Sequence, residues 1–150
     1  GMRSMSARGK ARFFLDTNIF IYANDLSSPD KRTRARALIA DAYRTRLGCL
    51  STQVLQEFFV VATRKAGLSA AATRAQVIKL AELDTVNVDG PLVIGAIDLH
   101  IIHQISFWDA LILKSAAVSG CRTLYTEDLN HGQIIDGVRI VNPFTTAAVT

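Results

Sequence analysis

The chain has few of the residues that mark several classes of protein. Its 150 residues include two cysteines, three prolines and one tryptophan. Two cysteines are too few for a disulfide scaffold, and neither lies in a CxxC pair or near histidines at zinc-site spacing. Cys49 and Cys121 both fall in apolar, strand-like runs. We therefore expect two buried, reduced thiols and no structural zinc.

Long apolar runs are also missing. No run reaches the roughly 18 residues that a membrane-spanning helix needs, and no secretory leader pattern opens the chain. We therefore expect a cytoplasmic protein with no membrane partner. Gly1 before Met2 is interpreted as the remnant of a removed tag, and residues 1–10 as that remnant plus a flexible N-terminus.

Apolar residues dominate what is present. Hydrophobic residues make up 49% of the chain and charged residues 20%, which excludes a disordered polypeptide. A chain of 150 residues can bury a full hydrophobic core, so we predict a single domain over residues 1–150.

Positive charge is concentrated in the first third of the chain, within a net charge of +4. More than half of the 17 Lys and Arg residues precede residue 47: Arg3, Arg8, Lys10, Arg12, Lys31, Arg32, Arg34, Arg36, Arg44 and Arg46. Such a segment suits a polyanionic partner such as RNA or DNA. A solvated helix face with a frayed tail explains the same charges.

Short apolar runs alternate with longer amphipathic segments. Strands are predicted at 13–15, 47–50, 85–88, 121–125 and 138–141, and helices at 18–22, 31–43, 54–65, 69–81, 90–101 and 107–119, with 126–137 as a loop. Thr17 or Asn18 is the expected cap of the first helix. The alternation predicts an α/β fold of three layers, α/β/α, with a central parallel sheet.

Four acids stand at strand ends or in early helical turns. Asp16 ends the first strand, and Asp128 follows the strand that ends at Tyr125. Glu57 and Asp109 lie in apolar helical segments with no Lys or Arg within four positions. A cap, a helix-dipole charge or a solvated surface position explains each acid alone. Together they predict one acidic pocket, where a divalent cation such as Mg²⁺ or Mn²⁺ relieves the repulsion.

The segments around these acids resemble, in order, the four motifs of the PIN-domain ribonucleases, and within them the VapC-type toxins of toxin–antitoxin pairs. The segments are Leu15-Asp16-Thr17-Asn18, Ser51-Thr52-Gln53-Val54-Leu55-Gln56-Glu57-Phe58, Phe107-Trp108-Asp109-Ala110-Leu111-Ile112 and Leu124-Tyr125-Thr126-Glu127-Asp128-Leu129. Each segment alone is weak evidence, whereas four in order over nearly the whole chain are specific.

The resemblance implies a PIN-like fold and a site made from particular residues. The catalytic, metal-binding carboxylates would be Asp16, Glu57, Asp109 and Asp128. Asn18 and Thr126 would orient them from a second layer, and Glu127 would be an outer ligand or an alternative to Asp128. The implied activity is Mg²⁺- or Mn²⁺-dependent cleavage of RNA by activated water. The implied partners are the RNA substrate, an antitoxin protein and a second copy of the chain.

Other functions remain open. A structure-specific DNA nuclease and a catalytically idle interaction module on the same scaffold are the alternatives. A haloacid-dehalogenase-type phosphatase would carry a second Asp at the position of Asn18. A receiver domain would carry an Asp within 47–56, and that segment has none. A dinucleotide-binding fold would carry G-x-G-x-x-G after the first strand, and that motif is missing.

Several further side chains have a structural interpretation. His100 and His103 have the spacing of two metal ligands but are expected at the surface or an interface, and His131 is expected in a loop. Trp108 is expected in the core rather than as a base-stacking platform. The apolar helices at 54–61 and 92–101 are either dimer or antitoxin surfaces or faces packed on the sheet.

Overall fold

The computed structural model describes residues 11–145, so the expected tag remnant and flexible N-terminus at 1–10 lie outside the described residues. The elements in chain order are β1 (Phe13–Leu15), α1 (Thr17–Tyr22), α2 (Pro29–Thr45), β2 (Gly48–Ser51), α3 (Thr52–Arg64), α4 (Ala70–Leu80), β3 (Asp84–Val86), α5 (Gly90–His103), α6 (Phe107–Val118), β4 (Thr123–Tyr125), β5 (Ile134–Ile135) and β6 (Val138–Val141). The predicted elements are therefore present, with shifted ends and one added strand.

A six-stranded sheet organises these elements in the order β3-β2-β1-β4-β6-β5. The first five strands of that order pair in parallel. Strand β1 lies between β2 and β4, and its Phe14 and Leu15 side chains are fully buried. Because parallel strands end at the same edge of a sheet, the residues that follow β1 and β4 come close together.

The central parallel sheet is confirmed, but the prediction of a loop over 126–137 is wrong at β5. This two-residue strand runs antiparallel to β6, with Ile135 opposite Val138. Asp136 and Gly137 form the connection, with φ angles of 53° and 79°. Two positive φ angles in a two-residue loop favour a hairpin. The three-layer α/β arrangement itself is confirmed.

Helices α1 to α6 pack on the sheet and on each other. Helix α6 contacts β2, β4 and β6, and helix α5 packs along α6. Helix α2 approaches β2 so closely that a Cβ atom on Gly48 would lie 2.1 Å from the Ala42 Cβ. Cys49 and Cys121 are both buried and are not joined in a disulfide, which confirms their expected burial.

Some apolar side chains are exposed on the surface formed by residues 11–145. On α4, Ile78 is half exposed, whereas Leu80 is buried. On α5, one face of the helix is buried and the other exposes several isoleucines. No single described helix has the length and apolar composition to cross a membrane; α5 and α6 meet those criteria only as a pair, which is bent by 117°.

Candidate active site

Asp16 stands at the junction between β1 and α1, with no loop between the two elements. Its backbone is extended, and its Oδ1 accepts a hydrogen bond from the Thr17 backbone N at 2.7 Å, so Asp16 is the N-cap of α1. The expectation that Thr17 or Asn18 caps this helix is therefore wrong. A strand that ends directly in a cap leaves the carboxylate at the sheet edge, where it is 5% exposed.

Thr126 connects Asp16 to the residues after β4. Its backbone N donates to the Val141 carbonyl at 3.0 Å, which fixes the start of the loop. Its hydroxyl donates to Asp16 Oδ2 at 2.8 Å and accepts from the Asp128 backbone N at 3.1 Å. Asn18 Nδ2 donates to Asp128 Oδ2 at 3.1 Å. Asp16 and Asp128 are thus held in one network by two neutral side chains.

Glu57 reaches the same region from α3. Ser51 caps this helix by accepting from the Val54 backbone N. The Thr17 hydroxyl donates to Glu57 Oε1 at 2.7 Å, and Gln53 Nε2 donates to Glu57 Oε2 at 3.4 Å. The sequence pattern does not indicate site roles for Thr17 and Gln53. The position of Gln53 could have been inferred from the sequence, because residues four apart on a helix are neighbours and Gln53 precedes Glu57 by four.

Asp109 occupies the first turn of α6. Ser106 caps that helix, and its Oγ accepts from the Asp109 backbone N at 3.1 Å. A carboxylate in the first turn is favoured by the helix dipole. Asp16, Glu57, Asp109 and Asp128 all line one cavity of about 690 Å³. The structure thus brings the four predicted acids together.

Burial and the neighbouring charges disfavour ionisation of Asp16 and Asp109. Burial is the largest cause that raises the pKa of Asp16 from 3.8 to about 7; the nearby charges of Asp128 and Glu57 add to it, against hydrogen bonds from Thr126 and Thr17. The pKa of Asp109 is also raised, first by burial and then by Asp128 and Glu57. Carboxylates that repel one another in this way form a site that attracts positive charge.

Glu127 has a different environment from the four acids. It lines the cavity, but its Oε1 accepts from the Tyr22 hydroxyl at 2.5 Å and its Oε2 from Lys31 Nζ at 3.1 Å. Asp128, the next residue, is held by Asn18 instead. A lysine therefore compensates the charge of Glu127, whereas Asp128 belongs to the acidic network.

The donor chemistry of the cavity fits a hard divalent cation. Oxygen-only donor sets favour Mg²⁺ or Mn²⁺ over zinc. Within residues 11–145, Asn18 Oδ1 is also buried without a hydrogen-bond partner, which leaves a spare oxygen beside Asp128. Across the same residues, however, no three His, Cys, Asp or Glu side chains are already spaced to hold an ion. The carboxylates line the cavity without converging on one point.

Trp108 contradicts its expected place in the core. Its side chain is 61% exposed, and it lines the cavity beside Asp109. His100 and His103 are exposed, as expected. His131 is in a loop, also as expected, and its Nδ1 accepts a hydrogen bond from the Asn142 backbone N at 3.0 Å.

Comparisons with known proteins give a family and several similar folds. The family model of the PIN domain matches residues 13–135. The toxin VapC20 of Mycobacterium tuberculosis, described as cleaving the sarcin-ricin loop, superposes with a TM-score of 0.63 at 23% identity, over 77% of this chain and 89% of that one. A comparison with curated protein sequences gives no match.

Two toxin–antitoxin complexes are also similar in structure. One from Klebsiella pneumoniae has a TM-score of 0.61 at 21% identity, over 90% of this chain and 98% of the other. A DNA-bound VapBC from Salmonella typhimurium has a TM-score of 0.60 at 23% identity, over 87% and 97%. At sequence identities this low, the structural similarity establishes a shared fold and nothing further.

Proposed function

The chain belongs to the PIN domain family, and on that premise we propose that it is a Mg²⁺- or Mn²⁺-dependent endoribonuclease and the toxin of a toxin–antitoxin pair. One observation carries the proposal: Asp16, Glu57, Asp109 and Asp128 line a single cavity at the carboxyl edge of the sheet. Solved structures of similar fold include a toxin described as cleaving the sarcin-ricin loop.

The four carboxylates would hold the cation. When bound, Mg²⁺ or Mn²⁺ lowers the pKa of a water molecule and stabilises negative charge on the phosphate oxygens. Asp16 is fixed for this task by its hydrogen bonds from Thr17 and Thr126. Asn18 and Thr126 orient Asp128, and Thr17 orients Glu57. Glu127, held by Lys31, would keep its charge outside this set.

The acidic cavity must also accept a polyanion. Part of the basic first third serves internal contacts: Arg36 donates to the Ala23 carbonyl and Arg34 to the Pro143 carbonyl. Lys31, which contacts the cavity residues Tyr22 and Glu127, retains 38% side-chain exposure. Cations of this segment would contribute the salt-dependent attraction for RNA phosphates. We place the activity in the cytoplasm, where thiols such as Cys49 and Cys121 stay reduced.

An antitoxin and a second copy of the chain are the proposed protein partners. Similar structures include toxin–antitoxin complexes, which supports the first. For the homodimer, α5 offers an exposed apolar face formed by Ile94, Ile97, Ile101 and Ile102. Apolar faces of this kind commonly pack against another chain. Light scattering should show a dimer for the wild type and a monomer for Ile97→Lys, with Ile78→Lys on α4 as the control.

Cleavage of a labelled RNA panel tests the enzymatic proposal. We expect cutting with Mn²⁺ that is lost in EDTA and in Asp16→Asn, and retained in Asp98→Asn, whose acid is exposed on α5. Single-stranded and branched DNA in the same assay tests the DNA-nuclease alternative. If the protein cuts DNA but not RNA, the DNA-nuclease alternative replaces the proposal. Absence of both cutting and Mn²⁺ binding by calorimetry would leave the idle interaction module as the better answer.

A further inference from the structure

An exposed indole stands at the mouth of the acidic cavity. Trp108 is the second residue of α6, next to Asp109, and is 61% exposed. The half-buried Phe107 ring supports it edge-to-face, with ring centroids 5.1 Å apart and an interplanar angle of 73°. The indole is therefore positioned by a neighbour and still presents apolar surface to solvent beside the proposed reaction centre.

Gln53 lies on the wall of the same cavity and is 95% buried. Its Nε2 donates to the Trp108 carbonyl at 3.3 Å and to Glu57 Oε2 at 3.4 Å. Its Oε1 is buried and has no hydrogen-bond partner within residues 11–145. A buried acceptor without a donor is unfavourable, which points to a ligand that supplies one.

We infer that Trp108 and Gln53 form a nucleobase subsite next to the four carboxylates. An unpaired base stacks on the indole, and an N–H of the base or a hydroxyl of its ribose donates to Gln53 Oε1. Stacking on aromatic side chains with hydrogen bonds at the base edge is the usual mode of single-stranded RNA recognition. An apolar protein side chain would cover Trp108 but leave Gln53 Oε1 without a donor. The inference rests on the proposed RNA-cleaving function.

Fluorescence tests the stacking directly, because Trp108 is the single tryptophan of the chain. The wild-type protein in EDTA is titrated with a single-stranded pentaribonucleotide and with an abasic oligomer of the same length and charge. We expect saturable quenching by the first and unchanged emission with the second. This readout does not require cleavage.

Kinetics with Mn²⁺ provide the second readout. Trp108→Leu should raise KM for RNA by about fivefold or more, because base stacking on an aromatic ring contributes on this scale, while kcat stays near the wild-type value. Gln53→Met, of similar volume, should reduce the KM differences among RNAs that vary at one base. Val118→Ala is the control, since Val118 is exposed at the far end of α6 and outside the cavity lining.

The outcomes separate this inference from the proposed function. A wild-type KM in Trp108→Leu, equal quenching by the abasic oligomer, or emission that responds to an antitoxin but to no oligonucleotide overturns the subsite. Absence of RNA cleavage by the wild type, with base-dependent quenching intact, overturns the proposed function and leaves the subsite supported.

Discussion

Lys31 Nζ lies 3.1 Å from Glu127 Oε2, and this ion pair gives Glu127 a different environment from the adjacent Asp128. Tyr22 donates to the other oxygen of Glu127, and the Lys31 ammonium also lies 4.5 Å from the centre of the Tyr22 ring. Hydrogen bonds with Tyr22 and Glu127 raise the pKa of Lys31 and keep it charged. Within the described residues Asp128 has no such cation, and it is bonded to Asn18 instead. We therefore favour Asp128 over Glu127 as the ligand.

Substitution of the two acids should have unequal effects on RNA cleavage. Asp128→Asn should lower kcat/KM by about 100-fold or more, because it removes a charge from the proposed cation site. Glu127→Gln, which keeps the shape and one acceptor oxygen, should stay within about threefold of the wild type, because its charge is already compensated by Lys31. Steady-state kinetics with Mn²⁺ measure both, and the reverse order would assign the ligand to Glu127.

The ionisation of Asp16 should make folding stability depend on pH in the absence of metal. Its pKa is about 7 in the folded protein and ordinarily 3.8. Between these values the unfolded chain has released a proton that the folded chain keeps, so a rise in pH favours unfolding. The free energy of unfolding should therefore fall by up to about 4 kcal/mol as the pH rises to 8.

Urea unfolding at pH 5 and pH 8 in EDTA, for the wild type and Asp16→Asn, measures this contribution. The asparagine cannot ionise, so only the wild type should lose stability from this group as the pH rises. Relative to the wild type, the variant should therefore be more stable at pH 8 than at pH 5. If the variant weakens the hydrogen bond with Thr126, it does so at both pH values, and that cost cancels when the two differences are compared. An equal difference at both pH values would contradict the raised pKa.

Thr17 should influence activity through Glu57. Thr17→Val has nearly the same shape but lacks the hydroxyl that donates to Glu57 Oε1 at 2.7 Å. We expect a loss of kcat of about 10- to 100-fold, as for other groups that orient ligands. Thr17→Ser keeps the donor and should recover most of the activity. An equal loss in both variants would indicate that the methyl group, not the hydrogen bond, matters.

Gly48 should be required by the contact between α2 and β2. A Cβ at this position would lie 2.1 Å from the Ala42 Cβ, so Gly48→Ala should destabilise the fold by about 1–3 kcal/mol. Gly90→Ala is the matched control, since a Cβ there meets nothing within 4 Å. Thermal unfolding compares the two variants. Equal melting temperatures would show that the helix can move away at little cost.

The sequence predicted the elements that carry the four acids because strands and helices have distinct apolar periods. It favoured Thr17 or Asn18 over Asp16 as the cap of α1, since Asp, Thr and Asn are all good caps and only the backbone direction selects one. It missed β5 because two residues are too short to show a period, although Asp136-Gly137 is a known hairpin signal.

Tertiary contacts explain the remaining differences. Trp108 is apolar enough for a core, but its place on α6 turns it toward the cavity instead of the sheet. The role of Thr17 depends on Glu57, which is 40 residues away in the chain, so no local pattern contains it. Metal binding by the four carboxylates stays a prediction.

The hydrogen bond between Thr126 and Asp16 joins residues that are 110 positions apart. A nascent chain therefore contains Asp16 well before it contains Thr126, which is synthesised 110 residues later. No truncated product that stops before β4 can assemble the acidic network, because Thr126 and Asp128 are missing from it. For the proposed RNA-cleaving activity, this order of synthesis would delay function until Asp128 has been added, and products that terminate before Thr126 would be inactive.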